Sequence, residues 1–190
     1  MKVPSFDLPL EEIRRSLAGL RRPLSIAILR ARNPFNVGAI IRVAHSFLAR
    51  EILLIGNEPY YERASMGMER FENIVTIPSE TEFLARPRAP GQKLVVFEKE
   101  HAQVDLWRAE LPEDCLMVFG SEVSGVPREI VDAADLVVGI PMYGINHSFP
   151  VTVAAGIAMA EWTRRYYPGQ YRASGFRLQA PGFNTGPDLT

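Results

Sequence analysis

The sequence predicts an α/β fold: a mostly parallel sheet with helices on both faces. Two observations carry this. Short apolar runs of strand length alternate along the chain with segments of helical spacing, which is the pattern of strands joined by helical crossovers. Three of the predicted turns, at 33–38, 120–126 and 140–149, then join a strand end to a helix through Gly, Asn or Pro, the layout in which open α/β sheets bind small molecules.

Residues 1–22 form an amphipathic arm, with Leu8, Leu10, Ile13, Leu17 and Leu20 near helical spacing. Residues 24–29 read as a buried strand, stopped by Asn33–Pro34. A helix is predicted over 36–48, with Val37, Ile40, Ile41, Ala44 and Phe47 on one face. A strand at 51–55 follows, then a helix or loop over 60–71 and a third strand at 73–77. Ser79 caps a short helix, with Glu82 at the capping-box position. Strands at 93–97 and 115–119 flank a segment that contains Trp107. Pro127 opens a helix to residue 133, a last strand spans 135–140, and an Ala/Gly-rich helix over 149–166 closes the domain. The predicted organisation is therefore an arm (1–22), one domain (23–167) and a loosely structured tail (168–190).

A chain of 190 residues holds one domain with flanking arms and a sizeable core. Its hydrophobic fraction of 47% and charged fraction of 23% are those of a soluble globular protein. A formal net charge of -1 provides no global positive field for nucleic acid. Yet only Lys2, Lys93 and Lys99 are lysines, and the other basic residues are arginines, which suit bidentate phosphate contacts and base stacking. A GC-rich genome or a thermophilic source accounts for the same bias. Cys115 is the single cysteine, inside an apolar strand; it excludes an internal disulfide, makes no zinc site with distant histidines, and reads as an inert core residue. The N-terminus lacks an apolar leader and no apolar run reaches membrane-spanning length, so a reducing cytoplasm is expected.

Three motifs carry the chemistry. Asn36, Gly38 and Arg42 form an N-x-G-x-x-x-R pattern at a strand-to-helix turn. Gly120, Glu122 and Gly125 form G-x-E-x-x-G after a later strand, and Ile140, Pro141, Met142, Gly144 and Ser148 form I-P-M-x-G-x-x-x-S after the last. No G-x-G-x-x-G follows the first strand, which removes a dinucleotide Rossmann site. In this order and spacing the three motifs resemble those of the SpoU (TrmH-type) branch of the SPOUT RNA methyltransferases, over roughly residues 24–162.

The resemblance implies a C-terminal trefoil knot, a departure from the rule that chains avoid knots. It implies an S-adenosylmethionine-dependent RNA ribose 2′-O-methyltransferase that works as a homodimer. By residue match it implies a cofactor site at Phe97, Gly120, Ile140, Met142 and Phe149, with Gly120 sparing the ligand a blocking side chain. It places Asn36, Arg42, Glu122 and Ser148 in catalysis. Guanidinium barely deprotonates in proteins, so Arg42 suits a phosphate clamp beside the reacting ribose better than a general base. Asn36 would orient Arg42 or the ribose, Glu122 would hold an arginine or the substrate in register, and Ser148 would donate a hydrogen bond.

Each residue also has a structural reading. Asn36 and Ser148 could cap helices, Arg42 could belong to a solvated face, and Glu122 could be a loop carboxylate. His45 and His147 are expected to be incidental. One departure from the family pattern stands out: Pro150 replaces the asparagine usual there and brings neither a polar side chain nor an N–H. A catalytically silent RNA-binding dimer and a methyltransferase with a non-RNA acceptor are the alternatives. The compact chain points to transfer RNA rather than ribosomal RNA. The small residues Ala154, Ala155, Gly156, Ala158 and Ala160 of the closing helix offer a surface for dimer packing.

Overall fold

The computed structural model describes residues 7–30, 33–121 and 124–167. The predicted tail, the first residues of the arm, and Glu122 lie outside them. Seven strands make one sheet: β1 (Arg22–Leu29), β2 (Ala49–Ile55), β3 (Ile74–Ile77), β4 (Lys93–Phe97), β5 (Val104–Asp105), β6 (Cys115–Phe119) and β7 (Leu136–Gly139). Their order is β3-β2-β1-β6-β4-β7-β5. Every adjacent pair is parallel. The two-residue edge strand β5 was not foreseen; it carries too few residues to show a period.

Buried parallel strands send alternate side chains to opposite faces, and both faces are covered here. On one face Leu24, Ile26 and Ile28 of β1 join Met117 and Phe119 of β6 against α2 (Pro34–Ser46) and α5 (Val151–Tyr166). On the other, Ala27, Leu29, Leu116 and Val118 meet α3 (Glu80–Ala85) and α4 (Arg128–Asp132) through Phe83, Ile130 and Val131. Trp162 of α5 is fully buried, and its indole N–H donates to the carbonyls of Pro112 (3.1 Å) and Glu113 (3.2 Å). In the arm, α1 (Leu10–Ala18) sets Ile13 and Leu17 against Phe71.

Two helix starts differ from expectation. α2 begins at Pro34, because the Asn33 side chain accepts from the Phe35 N–H (3.1 Å) and proline is pre-set for the first helical turn. Asn33, not Asn36, is the cap. α5 begins at Val151, with Pro150 at its N-cap and no side-chain cap, so Ser148 does not cap it either. The segment 60–71 resolves into two short 3₁₀ turns, Glu62–Ser65 and Met68–Phe71. Ser79 caps α3 as expected, accepting from the Glu82 N–H at 3.2 Å.

The closing helix uses its small residues differently from the dimer expectation. Ala155 and Ala158 are fully buried in the protomer's own core, and Gly156 faces Val43 of α2. Ala155 and Ala158 are therefore unavailable to a second copy, whereas Ala154 and Gly156 are half-buried and Ala160 is exposed. Among the described residues no helix is long and apolar enough to cross a membrane. Cys115 is buried, and that burial pushes its thiol up, away from reactivity.

Candidate cofactor and acceptor site

In a parallel sheet all strands end on the same side. The chain lays down β1, β2 and β3 outward, then crosses to β4 and inserts β6 between β4 and β1. Such a reversal leaves a crevice outside the carboxyl ends of the strands. A cavity of about 440 Å³ opens there, at the ends of β4, β6 and β7. All five predicted cofactor residues, Phe97, Gly120, Ile140, Met142 and Phe149, line it, and so does Ser148.

Three loops wall the cavity. Its apolar floor includes Phe97 and Phe119, whose rings stack with centroids 5.1 Å apart and an interplanar angle of 15°. The loop after β6 folds back on itself: the Ser121 N–H donates to the Gly125 carbonyl (3.0 Å) and the Gly125 N–H to the Ser121 carbonyl (2.9 Å). Gly125 has φ +64, the left-handed region. A Cβ on Gly120 would lie 2.3 Å from the Gly125 carbonyl carbon and 2.6 Å from the Val126 nitrogen. The loop's own main chain already requires glycine at 120, which also lines the cavity. In the loop after β7, the Asn146 amide donates to the Ser148 carbonyl (3.3 Å) and Lys99 Nζ to the His147 carbonyl (2.9 Å). His147, expected to be incidental, lines the cavity.

An apolar floor of aromatic and aliphatic side chains, with Glu98, Ser121, Ser124 and Ser148 at its edge, fits a ligand that pairs a flat heterocycle with polar substituents. S-adenosylmethionine has that composition, and the cavity is within the size range of small-molecule sites.

Asn36 and Arg42 are not among the residues lining this cavity. Both lie on α2. A Cβ on Gly38 would come within 2.6 Å of the Tyr61 carbonyl oxygen and 2.8 Å of the Ala64 Cβ, so the motif glycine lets α2 pack onto the first 3₁₀ turn. The Asn36 side-chain nitrogen is buried without a hydrogen-bond partner among the described residues. Arg42 is exposed, and no partner engages its guanidinium among the described residues. His45, one turn further on, is structural: its Nδ1 meets the buried Glu72 carboxylate at 2.6 Å, which Arg21 also holds at 2.6 Å.

Sequence reasoning missed Glu98 and Lys99, which adjoin the cavity directly after β4. The available signal was their place: the first charged residues beyond the apolar run 93–97 at the carboxyl end of a parallel strand.

Residues 23–160 match the family model described as the SpoU rRNA Methylase family. The chain is 28% identical over 173 residues to the mouse tRNA (guanosine(18)-2'-O)-methyltransferase TARBP1, covering 86% of this chain and 11% of that one. It is 27% identical to the 23S rRNA (guanosine-2'-O-)-methyltransferase RlmB of Ralstonia nicotianae, covering 85% of this chain and 66% of the relative. These curated relatives are therefore longer than the stretch the chain matches. Among solved structures, the AdoMet-bound rRNA methyltransferase from Sinorhizobium meliloti superposes with a TM-score of 0.69 at 27% identity, over 79% of this chain and 60% of that one. With the family model matched from residue 23 to residue 160, most of its length, the chain belongs to the SpoU rRNA Methylase family.

Proposed function

We propose that this chain is an S-adenosylmethionine-dependent methyltransferase that acts on a ribose 2′-hydroxyl of RNA, on transfer RNA in preference to ribosomal RNA. The observation that carries the reading is the cavity in which Phe97, Gly120, Ile140, Met142 and Phe149 converge from the ends of three strands. The names of the relatives support the reaction class and cover both kinds of RNA.

Bound in this cavity, S-adenosylmethionine would supply a methyl group activated by its sulfonium. Main-chain groups of the loops after β4, β6 and β7 would hold its adenosyl part over the Phe97–Phe119 floor. Arg42, with its fork free, would grip the phosphate beside the acceptor ribose. Asn36, with an unpaired side-chain nitrogen on the same helix, would orient that contact, and Ser148 would donate from the cavity wall. Glu122 keeps its proposed role of holding an arginine or the substrate in register.

The same reading includes a homodimer, the trefoil knot and a cytoplasmic location. Arg42 does not line the cofactor cavity of its own protomer, and a second copy that brings its own α2 to the cavity would join them. Phe35 (56% exposed), Ile145 (100%) and Val153 (44%) offer apolar surface on α2, the loop after β7 and α5 for that contact. This surface adds to the accessible small residues Ala154, Gly156 and Ala160 of α5 in the dimer argument.

One observation favours the silent RNA-binding alternative: Pro150 caps α5 with no polar side chain where the family usually has asparagine. Calorimetric titration with S-adenosylmethionine, followed by methyl transfer to bulk transfer RNA, separates the readings. Binding with transfer is expected. Binding of RNA without transfer, with activity gained on Pro150→Asn, would favour the silent dimer. No cofactor binding at all would remove the proposed function.

A further inference from the structure

Two consecutive side chains just after β4 reach the other two walls of the cavity. Glu98 spreads its carboxylate over main-chain donors: Oε1 accepts from the Lys99 N–H (2.8 Å) and the Glu100 N–H (3.4 Å), and Oε2 accepts from the Val126 N–H (3.1 Å). Its own N–H donates to the Val138 carbonyl at the end of β7 (3.2 Å). The contact with the β6 loop is close: a Cβ on Gly125 would lie 2.5 Å from Glu98 Oε2. Lys99 turns the other way, and its Nζ donates to the His147 carbonyl in the loop after β7 (2.9 Å).

We propose that Glu98 and Lys99 form a clamp of positioning residues that sets the width of the cofactor cavity: Glu98 draws Gly125 and Val126 to the end of β4, and Lys99 draws the 140–148 loop to the same point. Both oxygens of Glu98 accept from main-chain N–H groups, so the carboxylate fixes loop geometry. Charge-assisted hydrogen bonds of this kind are short and hold specific geometry. Glutamine cannot replace Glu98, because one of its two polar atoms is an NH₂ donor. Either Val126 or Lys99 would then present its N–H to another donor. Arginine at 99 keeps a donor for the His147 carbonyl, and methionine does not.

This inference rests on the cofactor reading above, and its test uses ligands that differ only at the sulfur. S-adenosylmethionine and S-adenosylhomocysteine are titrated calorimetrically into the parent, Glu98→Gln, Lys99→Met and Lys99→Arg, with transfer-RNA affinity measured alongside by fluorescence anisotropy. A clamp acts on the cavity as a whole, so Glu98→Gln and Lys99→Met should weaken both ligands by the same factor, about tenfold, the scale of one lost charged hydrogen bond. Lys99→Arg should restore most of the loss, and RNA affinity should stay at the parent value. Parent-level affinity in both Glu98→Gln and Lys99→Met would overturn the clamp. So would a loss confined to S-adenosylmethionine, which would mean direct contact with the sulfonium charge, or an equal fall in RNA affinity, which would mean general damage. A parent that binds neither ligand would overturn the cofactor reading itself, and the clamp with it. If Glu98→Gln fails to fold, the Lys99→Met and Lys99→Arg comparison decides alone.

Discussion

Gly120 and Gly125 touch through their backbones: a Cβ on the first would stand 2.3 Å from the carbonyl carbon of the second. The loop after β6 is therefore a tight fold-back, latched by the paired hydrogen bonds between Ser121 and Gly125, and it forms one wall of the cofactor cavity.

Gly120→Ala should already break this latch, without the bulk of valine. Overpacking against rigid main chain costs about 1–3 kcal/mol, and the loop cannot yield without separating Ser121 from Gly125. The expected result is a lower denaturant midpoint together with lost S-adenosylmethionine binding. A variant with parent stability and parent affinity would show that the fold-back is not required.

Arg42→Ala should lower single-turnover methylation by about a hundredfold or more while cofactor affinity stays near that of the parent, the scale of removing one charge-stabilising group from an active site. Arg42→Lys should recover little, since an ammonium point charge does not reproduce the planar fork. Arg42 is not among the residues that line the cavity, so it is expected to affect turnover and not the cofactor's dissociation constant. Parent-level turnover in Arg42→Ala would take Arg42 out of the mechanism.

Acid should loosen the closing helix through Glu161. Arg164 holds its carboxylate by hydrogen bonding, burial opposes that, and Arg165 adds to it; the balance lowers Glu161 from its ordinary 4.5 to about 2. A carboxylate lowered by folding contributes stability that is fully present above its unfolded value and is lost as pH falls toward its folded one. The window is therefore from about pH 4.5 down to about 2. Arg165 also donates to the Leu106 carbonyl (2.7 Å), so the acid-sensitive link joins α5 to the segment after β5. Thermal melts of Glu161→Gln should fall less steeply across this window than those of the parent, and identical slopes would contradict the assignment.

The parallel sheet was legible because β1, β4 and β6 are short apolar runs between helical segments, and the cofactor wall was legible because its residues sit in the motifs themselves. What pattern could not supply were contacts made across the chain. Gly38 reads as part of a motif, but its reason is the Tyr61 carbonyl packed against it. Gly120 invited a ligand argument, and its own loop already requires glycine there. The start of α2 was misplaced because two asparagines compete for one cap, and only geometry shows that Asn33 makes the bond. Ala155 and Ala158 look free on a helical wheel, yet they face the protomer's own core. Glu98 and Lys99 belong to no motif, and their partners are main-chain atoms, which leave no mark on residue identity.

The most direct test of the proposed activity uses the chemistry of the acceptor. Alkaline cleavage of RNA needs a free 2′-hydroxyl as nucleophile, so a ribose methylated there protects the adjoining phosphodiester. Bulk transfer RNA is incubated with the full chain and methyl-labelled S-adenosylmethionine, hydrolysed in alkali and separated by size. The account predicts label in alkali-resistant dinucleotides, with 2′-O-methylnucleosides as the labelled product of complete enzymatic digestion. Label in mononucleotides after alkali would mean base methylation, and either that result or no transfer to any RNA would contradict a ribose 2′-O-methyltransferase.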